Sequence, residues 1–160
     1  MKTILIRTLS GAIYITLVLG SLFLSIWAFA IIALLLNLIA LNEFQSFSKY
    51  RSQGLITILL GTLIFAYSHF HSFAGQINSN WIWILALVPL IIPITVLFSK
   101  DSKNPIYDIG FSFLSIVYIT VPLVLLNLLS VNSGLNTPWV IISMFIIIWT
   151  NDTFAYLSGL

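Results

Sequence analysis

The chain has very little charge. Of its 160 residues, six are Lys or Arg and four are Asp or Glu, so charged residues make up 6% of the sequence. A soluble domain carries roughly 25% charged residues, and so few charges cannot cover a surface that faces water. Sixty per cent of the residues are hydrophobic, and the mean hydropathy is +1.12. The composition excludes a soluble domain and predicts a polytopic membrane protein.

Cysteine is absent altogether, which excludes a disulfide framework and a thiolate metal site. The two histidines, His69 and His71, cannot form a zinc site by themselves. The basic residues are scattered in pairs and make no basic face, so we expect no nucleic-acid partner. The chain also lacks a phosphate-binding glycine loop, a nucleophile elbow and an HExxH motif.

Residues 8–44 form an almost continuously apolar stretch that is too long for one membrane crossing. As a single helix this stretch would extend about 55 Å, whereas the hydrocarbon core of a bilayer is about 30 Å thick. We therefore predict two helices joined by a tight turn near residues 25–27, with Trp27 at the membrane interface.

The rest of the chain alternates apolar segments with polar loops. Pro89 and Pro93 fall inside the fourth segment, which we predict to be a kinked helix, because neighbouring helices in a bundle can satisfy the freed carbonyls. The predicted fold is all-α: a bundle of about six transmembrane helices in a single domain over residues 1–160. These helices are predicted at residues 9–26, 28–46, 55–74, 81–98, 108–130 and 139–158.

The basic residues test this layout. With residues 8–44 split in two, all of them fall on one side of the membrane, and the opposite loops near 27, 75–80 and 131–138 contain none. Because Lys and Arg concentrate in cytoplasmic loops, we predict a cytoplasmic N-terminus. A single helix over 8–44 would instead put the first two pairs in opposite compartments. The basic residues are Lys2, Arg7, Lys49, Arg51, Lys100 and Lys103.

One carboxylate, Asp152, interrupts the apolar segment that begins at Trp139. The intervening helix places it about 20 Å from Trp139, in the cytoplasmic third of the bilayer. An ionisable side chain costs on the order of 2.5–3.5 kcal/mol at the centre of a membrane helix, and is a functional-site hypothesis by default. The alternative is that Asp152 only hydrogen-bonds to a neighbouring helix.

On a helix, Asp152 shares one face with Trp149, Thr153 and Tyr156, and Asn151 lies beside that face. A carboxylate with neighbouring amide and hydroxyl groups suits Mg²⁺, which usually takes one or two carboxylates together with waters and substrate phosphates. Asp152 is therefore the candidate metal ligand, and a further ligand must come from elsewhere.

The other ionisable residues have simpler interpretations. We interpret Glu43 as an interfacial acid near the end of the second helix, and Asp101 as a solvated loop residue. Asp108 lies at the start of the fifth helix, where a negative charge complements the helix dipole. His69 and His71 are two residues apart and point to different faces of a helix, and we interpret both as interfacial.

The terminal stretch resembles a known family. Residues 151–156 (Asn-Asp-Thr-Phe-Ala-Tyr), followed by Gly159, are similar to a characteristic segment of the bacterial phosphatidate cytidylyltransferases, also called CDP-diacylglycerol synthases. The opening residues 7–11 (Arg-Thr-Leu-Ser-Gly) precede a long apolar hairpin that closes on Glu43 and Phe44, and this pattern is similar to the start of that family.

This resemblance implies a multi-pass enzyme of the inner (plasma) membrane that transfers CMP from CTP to phosphatidate. The products would be CDP-diacylglycerol, for phospholipid synthesis, and pyrophosphate, with Mg²⁺ as the cofactor. In this interpretation Asp152 holds metal or nucleotide phosphate, while Asn151 and Tyr156 position polar groups around it. The implied partners are CTP, phosphatidate and membrane lipid, with a homodimer as the oligomer considered.

Members of that family continue past this segment into a Ser-Pro-Lys-Lys-type loop and further helices with an acidic, Lys- and Gly-rich signature. The chain stops before them, so we expect it to be an N-terminal portion that is inactive alone. The alternative from a different class is a transporter or ion-coupled carrier, with Asp152 as an ion ligand and the Pro-interrupted fourth segment as a broken helix. The sequence shows no internal repeat to support it.

Overall fold

A computed structural model describes residues 2–47, 54–73, 90–99, 104–132 and 137–159. Side chains are described within these ranges except at residues 2–12, 132, 137, 156 and 157. Every regular element in this part of the chain is helical. The chain divides into two compact units: a terminal unit, Met1–Ile32 with Leu129–Leu160, and a central unit, Ala33–Leu128. The single domain over residues 1–160 stays a prediction.

Helices α1 (Lys2–Leu24) and α2 (Ile26–Ser46) are separated by Ser25 alone. The Ser25 hydroxyl oxygen accepts a hydrogen bond of 3.0 Å from the Ala28 amide, which is the arrangement of a helix N-cap. The break expected near residues 25–27 is therefore confirmed, and its local cause is a side-chain oxygen that satisfies an otherwise unpaired amide. The reversal of the chain at this break stays a prediction.

The later helices begin and end within a few residues of the expected positions. α3 spans Gly54–Phe73, residues 90–97 form α4, and α6 spans Thr137–Ser158. Residues 81–89, the first half of the expected fourth helix, lie outside the described residues. The largest difference is at the N-terminus, where α1 begins at Lys2 rather than at residue 9.

Helix α5 is long and has three parts. Pro105–Ser115 and Val121–Asn132 are α-helical, and a π-helical turn, Ile116–Thr120, lies between them. In this turn the Val121 amide donates to the Ile116 carbonyl, five residues back. Pro122 follows two residues after the end of the turn and has no amide hydrogen to continue the α-helical ladder. The wider turn therefore stands where the regular hydrogen bonding is already interrupted.

Two side-chain hydrogen bonds fix the relative direction of α3 and α5 in the central unit. Thr57 and Ser112, near the start of each helix, are joined at 3.0 Å, and His69 and Asn127, near the end of each helix, are also joined. The two helices therefore run parallel. Consecutive helices that cross a bilayer alternate in direction. α3 and α5 have one helix, α4, between them in the chain, so their parallel directions agree with the expected layout.

Helix α2 runs in the opposite direction. Gln45, in its last turn, donates to Ser115 in the first half of α5 at 2.9 Å and lies against Gly54, where α3 begins. Leu41, one turn earlier, packs at Gly61, two turns into α3. The alternation of direction is thus present throughout the part of the central unit formed by α2, α3 and α5.

In the central unit, polar side chains are buried around a hydrophobic cluster, and large apolar side chains lie on the outside. Its hydrophobic cluster takes residues from α2 to α5: Ala33, Ile64, Phe65, Ile92, Val96, Ile116 and Val124. Around this cluster many polar side chains are buried as well, among them Asn37, Gln45, Thr57, Ser68, His69, Asp108, Ser112, Ser115, Thr120 and Asn127. Large apolar side chains cover the outside, including Leu55, Leu59, Leu63, Phe70, Ile94, Leu114 and Leu125.

This distribution is the one that lipid requires, because small and polar residues hold membrane helices together while apolar residues face the acyl chains. Among the described residues, four helical stretches are long and apolar enough to cross a membrane: Ile26–Ser46, Gly54–Phe73, Pro105–Val131 and Pro138–Ala155. The protein is an all-α polytopic membrane bundle. The number of six crossings and the cytoplasmic N-terminus stay predictions.

In the terminal unit α1 and α6 pack in opposite directions. The ring of Phe23, near the end of α1, lies edge-on to the ring of Trp139, near the start of α6, with centroids 6.4 Å apart. Further along, Phe145 and Trp149 line a shallow groove with residues 14–19 of α1. Asp152 follows Trp149 by three residues, so it lies towards the end of the bundle where α1 begins.

Candidate functional site

The candidate site predicted from the sequence lies in the last turns of α6. Asn151, Asp152 and Thr153 are all exposed, although the helix around them is apolar. The Thr153 hydroxyl donates to the Trp149 carbonyl of its own helix at 2.7 Å. No described residue forms a hydrogen bond or an ion pair with the Asp152 carboxylate. The carboxylate therefore keeps its full capacity to accept hydrogen bonds or to bind a cation.

The structure places Trp149, Asp152 and Thr153 on one face of a continuous α-helix, as the spacing predicted. Tyr156 follows one turn after Asp152 on the same helix, and its side chain lies outside the described residues. The roles of Asp152, Asn151 and Tyr156 in a reaction are not settled by this arrangement and stay predictions.

The donor set suits Mg²⁺ in its chemistry, because it offers carboxylate and amide oxygens. It supplies only one carboxylate, however, and in the described part of the chain no three His, Asp or Glu side chains come together to hold a metal. Such a site fits a Mg²⁺ ion that is shared with substrate phosphates, which commonly needs one or two carboxylates from the protein.

The comparison with known families is decisive for the class of protein. The sequence profile of the cytidylyltransferase family matches residues 5–160, which reach into each described helix from α1 to α6. The chain belongs to the cytidylyltransferase family. No curated protein and no solved structure matches it at a significant level.

Membership in the cytidylyltransferase family assigns CTP-dependent nucleotidyl transfer to this membrane protein, with a nucleoside triphosphate as substrate. The family resemblance of residues 7–11, 43–44 and 151–159 is therefore confirmed, and the match covers much more of the chain than those motifs. The transporter alternative has no comparable support.

A second set of polar residues, in the central unit, was not expected from the sequence. At one end of this unit Gln45 and Thr57 each bond to a serine hydroxyl of α5, and the Ser115 hydroxyl also donates to the Ser112 carbonyl at 2.8 Å. We call the buried polar residues of α2, α3 and α5 the polar seam. In the sequence its residues are spread among apolar ones: Asn37 and Gln45 of α2, for example, are eight residues apart.

At the opposite end of the polar seam His69 contacts Asn127. The His69 Nδ1 atom lies 3.2 Å from the Asn127 Oδ1 atom and 3.1 Å from its Nδ2 atom, so the imidazole donates or accepts according to its tautomer. Only 4% of His69 is exposed, and the ring of Phe73 stacks beside it. The interfacial interpretation of His69 is therefore wrong, because tertiary packing turns this side chain towards α5.

Asp108 lies in the first turn of α5, as expected for an acid that complements the helix dipole, but it is buried, with 2% of its surface exposed. Glu43 is exposed near the end of α2, in agreement with an interfacial acid. A small cleft opens where α2 ends and α3 begins. Its lining residues are Asn42, Gln45, Ser46, Gly54, Leu55 and Ile58.

Proposed function

We propose that the protein transfers CMP from CTP to phosphatidate, forming CDP-diacylglycerol and pyrophosphate. The observation that carries this proposal is Asp152: an exposed carboxylate on an apolar membrane helix, within the stretch that the cytidylyltransferase family matches. A lipid acceptor is supported by the membrane bundle itself, since the acceptor of a polytopic transferase reaches the site through the bilayer.

The position of Asp152 supports the meeting of a lipid and a nucleotide. It lies about 20 Å along α6 from Trp139, towards the end of the bundle that carries the N-terminus of α1. With a cytoplasmic N-terminus, this is the depth at which a lipid headgroup and a cytoplasmic nucleotide can approach the same side chain. The inner (plasma) membrane is the location that we propose.

In the proposed reaction a phosphate oxygen of phosphatidate attacks the α-phosphorus of CTP. A new P–O bond forms while the bond from that phosphorus to the β-phosphate breaks, and pyrophosphate leaves. Asp152 would hold the metal or the nucleotide phosphates, and Asn151 and Tyr156 would orient polar groups beside it. Mg²⁺, when bound, supplies charge neutralisation and alignment of the attack.

The test is Asp152→Asn in the intact protein, because this change removes the charge and keeps the size of the side chain. We expect Mg²⁺- and CTP-dependent formation of CDP-diacylglycerol to fall by at least about a hundredfold, a loss typical of removing an electrostatic contact to the transition state. Ser143→Ala is the matched control, because Ser143 is exposed on the same helix and bonds only to its own backbone. Near-normal turnover by Asp152→Asn would reduce Asp152 to a structural role.

The products separate this proposal from its nearest neighbour, a lipid kinase that uses CTP. Transfer of CMP releases pyrophosphate, whereas transfer of the γ-phosphate would release CDP. Radiolabelled CTP with vesicles of phosphatidate therefore identifies the reaction: label from the α-phosphate should enter the lipid, and label from the γ-phosphate should not. The opposite distribution would contradict the proposed function.

A further inference from the structure

The polar seam has hydrogen bonds between helices at both ends, and two residues in its middle have buried polar atoms without partners. Asn37 and Thr120 are both fully buried, at 0% exposure. Neither the amide nitrogen nor the amide oxygen of Asn37 has a hydrogen-bond partner, and the Thr120 hydroxyl has none either. Buried polar groups in proteins are almost always paired, so each exception needs a physical explanation.

These two residues face the same interface. Asn37 lies on the face of α2 that also carries Leu41 and Gln45, and Gln45 bonds directly to α5. A Cβ atom built on Gly61 of α3 would lie 2.7 Å from both the Leu41 Cδ1 atom and the Thr120 Oγ1 atom. α2, α3 and α5 therefore meet closely where the unsatisfied groups are.

The Thr120 hydroxyl lacks a hydrogen-bond partner because Thr120 lies in the π-helical turn. Thr62 and Thr153 each donate to the carbonyl four residues back on their own helix. For Thr120 that carbonyl belongs to Ile116, which in the π-helical turn bonds to the Val121 amide, five residues on, so it is not aligned with Thr120 as the Ile58 carbonyl is with Thr62. A π-helical turn contains one residue more than an α-helical turn, so its movement along the helix changes which carbonyl each hydroxyl can reach.

The two halves of α5 are held differently. The half after the turn is anchored by Val124 in the hydrophobic cluster and by the contact between Asn127 and His69. The half before the turn is held by the Ser112 and Ser115 hydroxyls at the seam and by the ring of Phe111, which stacks on Phe44 of α2. A hydroxyl group is both donor and acceptor and can exchange one partner for another by rotation. The first half is therefore the part that can change its register.

We propose that the Pro105–Ser115 half of α5 has two arrangements against α2 and α3, related by movement of the π-helical turn. In the second arrangement the Thr120 hydroxyl donates to the Ile116 carbonyl, as Thr62 does to Ile58, and a carbonyl of the shifted turn accepts the Asn37 amide. Pro122 keeps the interruption of the ladder in this region, and Gly61 places no side chain between α3 and its two neighbours. The polar seam is thus a two-state element rather than a fixed core.

The experiment uses the absence of cysteine from the chain. A single cysteine carrying a trifluoromethyl label replaces Leu114, which is exposed before the turn, or Leu125, which is exposed after it. We expect two ¹⁹F resonances, or one broadened by exchange, from the label at 114 in detergent micelles. The label at 125 is the matched reference and should give one sharp resonance.

Two substitutions then test whether the Thr120 hydroxyl and the Asn37 amide cause the two resonances. Thr120→Val keeps the shape of the side chain and removes the hydroxyl, and Asn37→Leu removes the amide. In either variant the resonances of the label at 114 should shift towards the one that reports the first arrangement, because the second arrangement then gains one hydrogen bond instead of two. Thr120→Ser retains the hydroxyl and should keep both signals. A single sharp resonance at 114 in the unsubstituted protein, with and without Mg²⁺ and CTP, would overturn the proposal, as would two resonances that Thr120→Val leaves unchanged.

Discussion

Gly61 is the position where one added methyl group should be felt most. In place of its hydrogen, a Cβ atom would lie 2.7 Å from the Leu41 Cδ1 atom and 2.7 Å from the Thr120 Oγ1 atom. Ordinary contacts of this kind begin near 3.4 Å, so both neighbours would have to move. Leu41 and Thr120 are fully buried at 0% exposure and have no adjoining solvent to move into. Gly61→Ala should therefore separate the helices locally.

The expected magnitude combines two opposing effects. Overpacking a well-filled interior typically costs about 1–3 kcal/mol of unfolding free energy. Replacing Gly by Ala within a helix returns up to about 1 kcal/mol through helix propensity. We expect a net loss of unfolding free energy of about 0–2 kcal/mol. Because this range includes zero, the single variant does not test the clash by itself.

Gly110 supplies the matched control. It lies in α5, and a Cβ atom there would meet nothing within 4 Å. Gly110→Ala therefore gains helix propensity without a clash, so the propensity effect cancels when the two variants are compared. We expect Gly61→Ala to be less stable than Gly110→Ala by about 1–3 kcal/mol, measured by unfolding in mixed detergent micelles followed by circular dichroism. Equal stability of the two variants would refute the close approach of α2, α3 and α5 at Gly61.

Two further predictions concern the other end of the seam and the orientation of the chain. His69→Leu and Asn127→Leu should each lower the free energy of unfolding by about 1–3 kcal/mol. The loss in the double variant should be smaller than the sum of the two single losses by roughly 0.6–1.7 kcal/mol. Strictly additive losses in the same unfolding assay would mean that the two side chains do not interact. A cysteine at Ser79 should react with an impermeant thiol reagent on intact cells, and one at Ser102 only after permeabilisation, while the reverse labelling would invert the proposed orientation.

The helical breaks were predictable because their causes are local. A run that spans residues 8–44 exceeds the thickness of a bilayer, and Ser25 offers a side-chain oxygen where a helix can begin again. The place of Asp152 on an apolar helix was predictable for a similar reason, since one charge in an apolar run stands out without any knowledge of its neighbours, and its role in a reaction stays a prediction.

The polar seam could not be predicted in this way. His69 lies near the end of α3, and nothing in its local sequence indicates a partner on another helix. Its contact is instead with Asn127, 58 residues away in sequence, through a pairing that depends on how α3 and α5 are rotated. The π-helical turn was missed as well: Pro122 signals an interruption of the helix but not the form that it takes.

The sequence alone determined that this protein crosses a membrane, where most of its helices begin and end, and which acid is exceptional. Tertiary structure decided which face of each helix is buried, that Gly61 and Thr120 meet, and that Asn37 and Thr120 are buried without partners. The physical reason is that the helices are apolar on nearly every side, and lipid does not distinguish one apolar face from another. Close packing and hydrogen bonds between distant residues then choose the buried faces, and no local pattern records that choice.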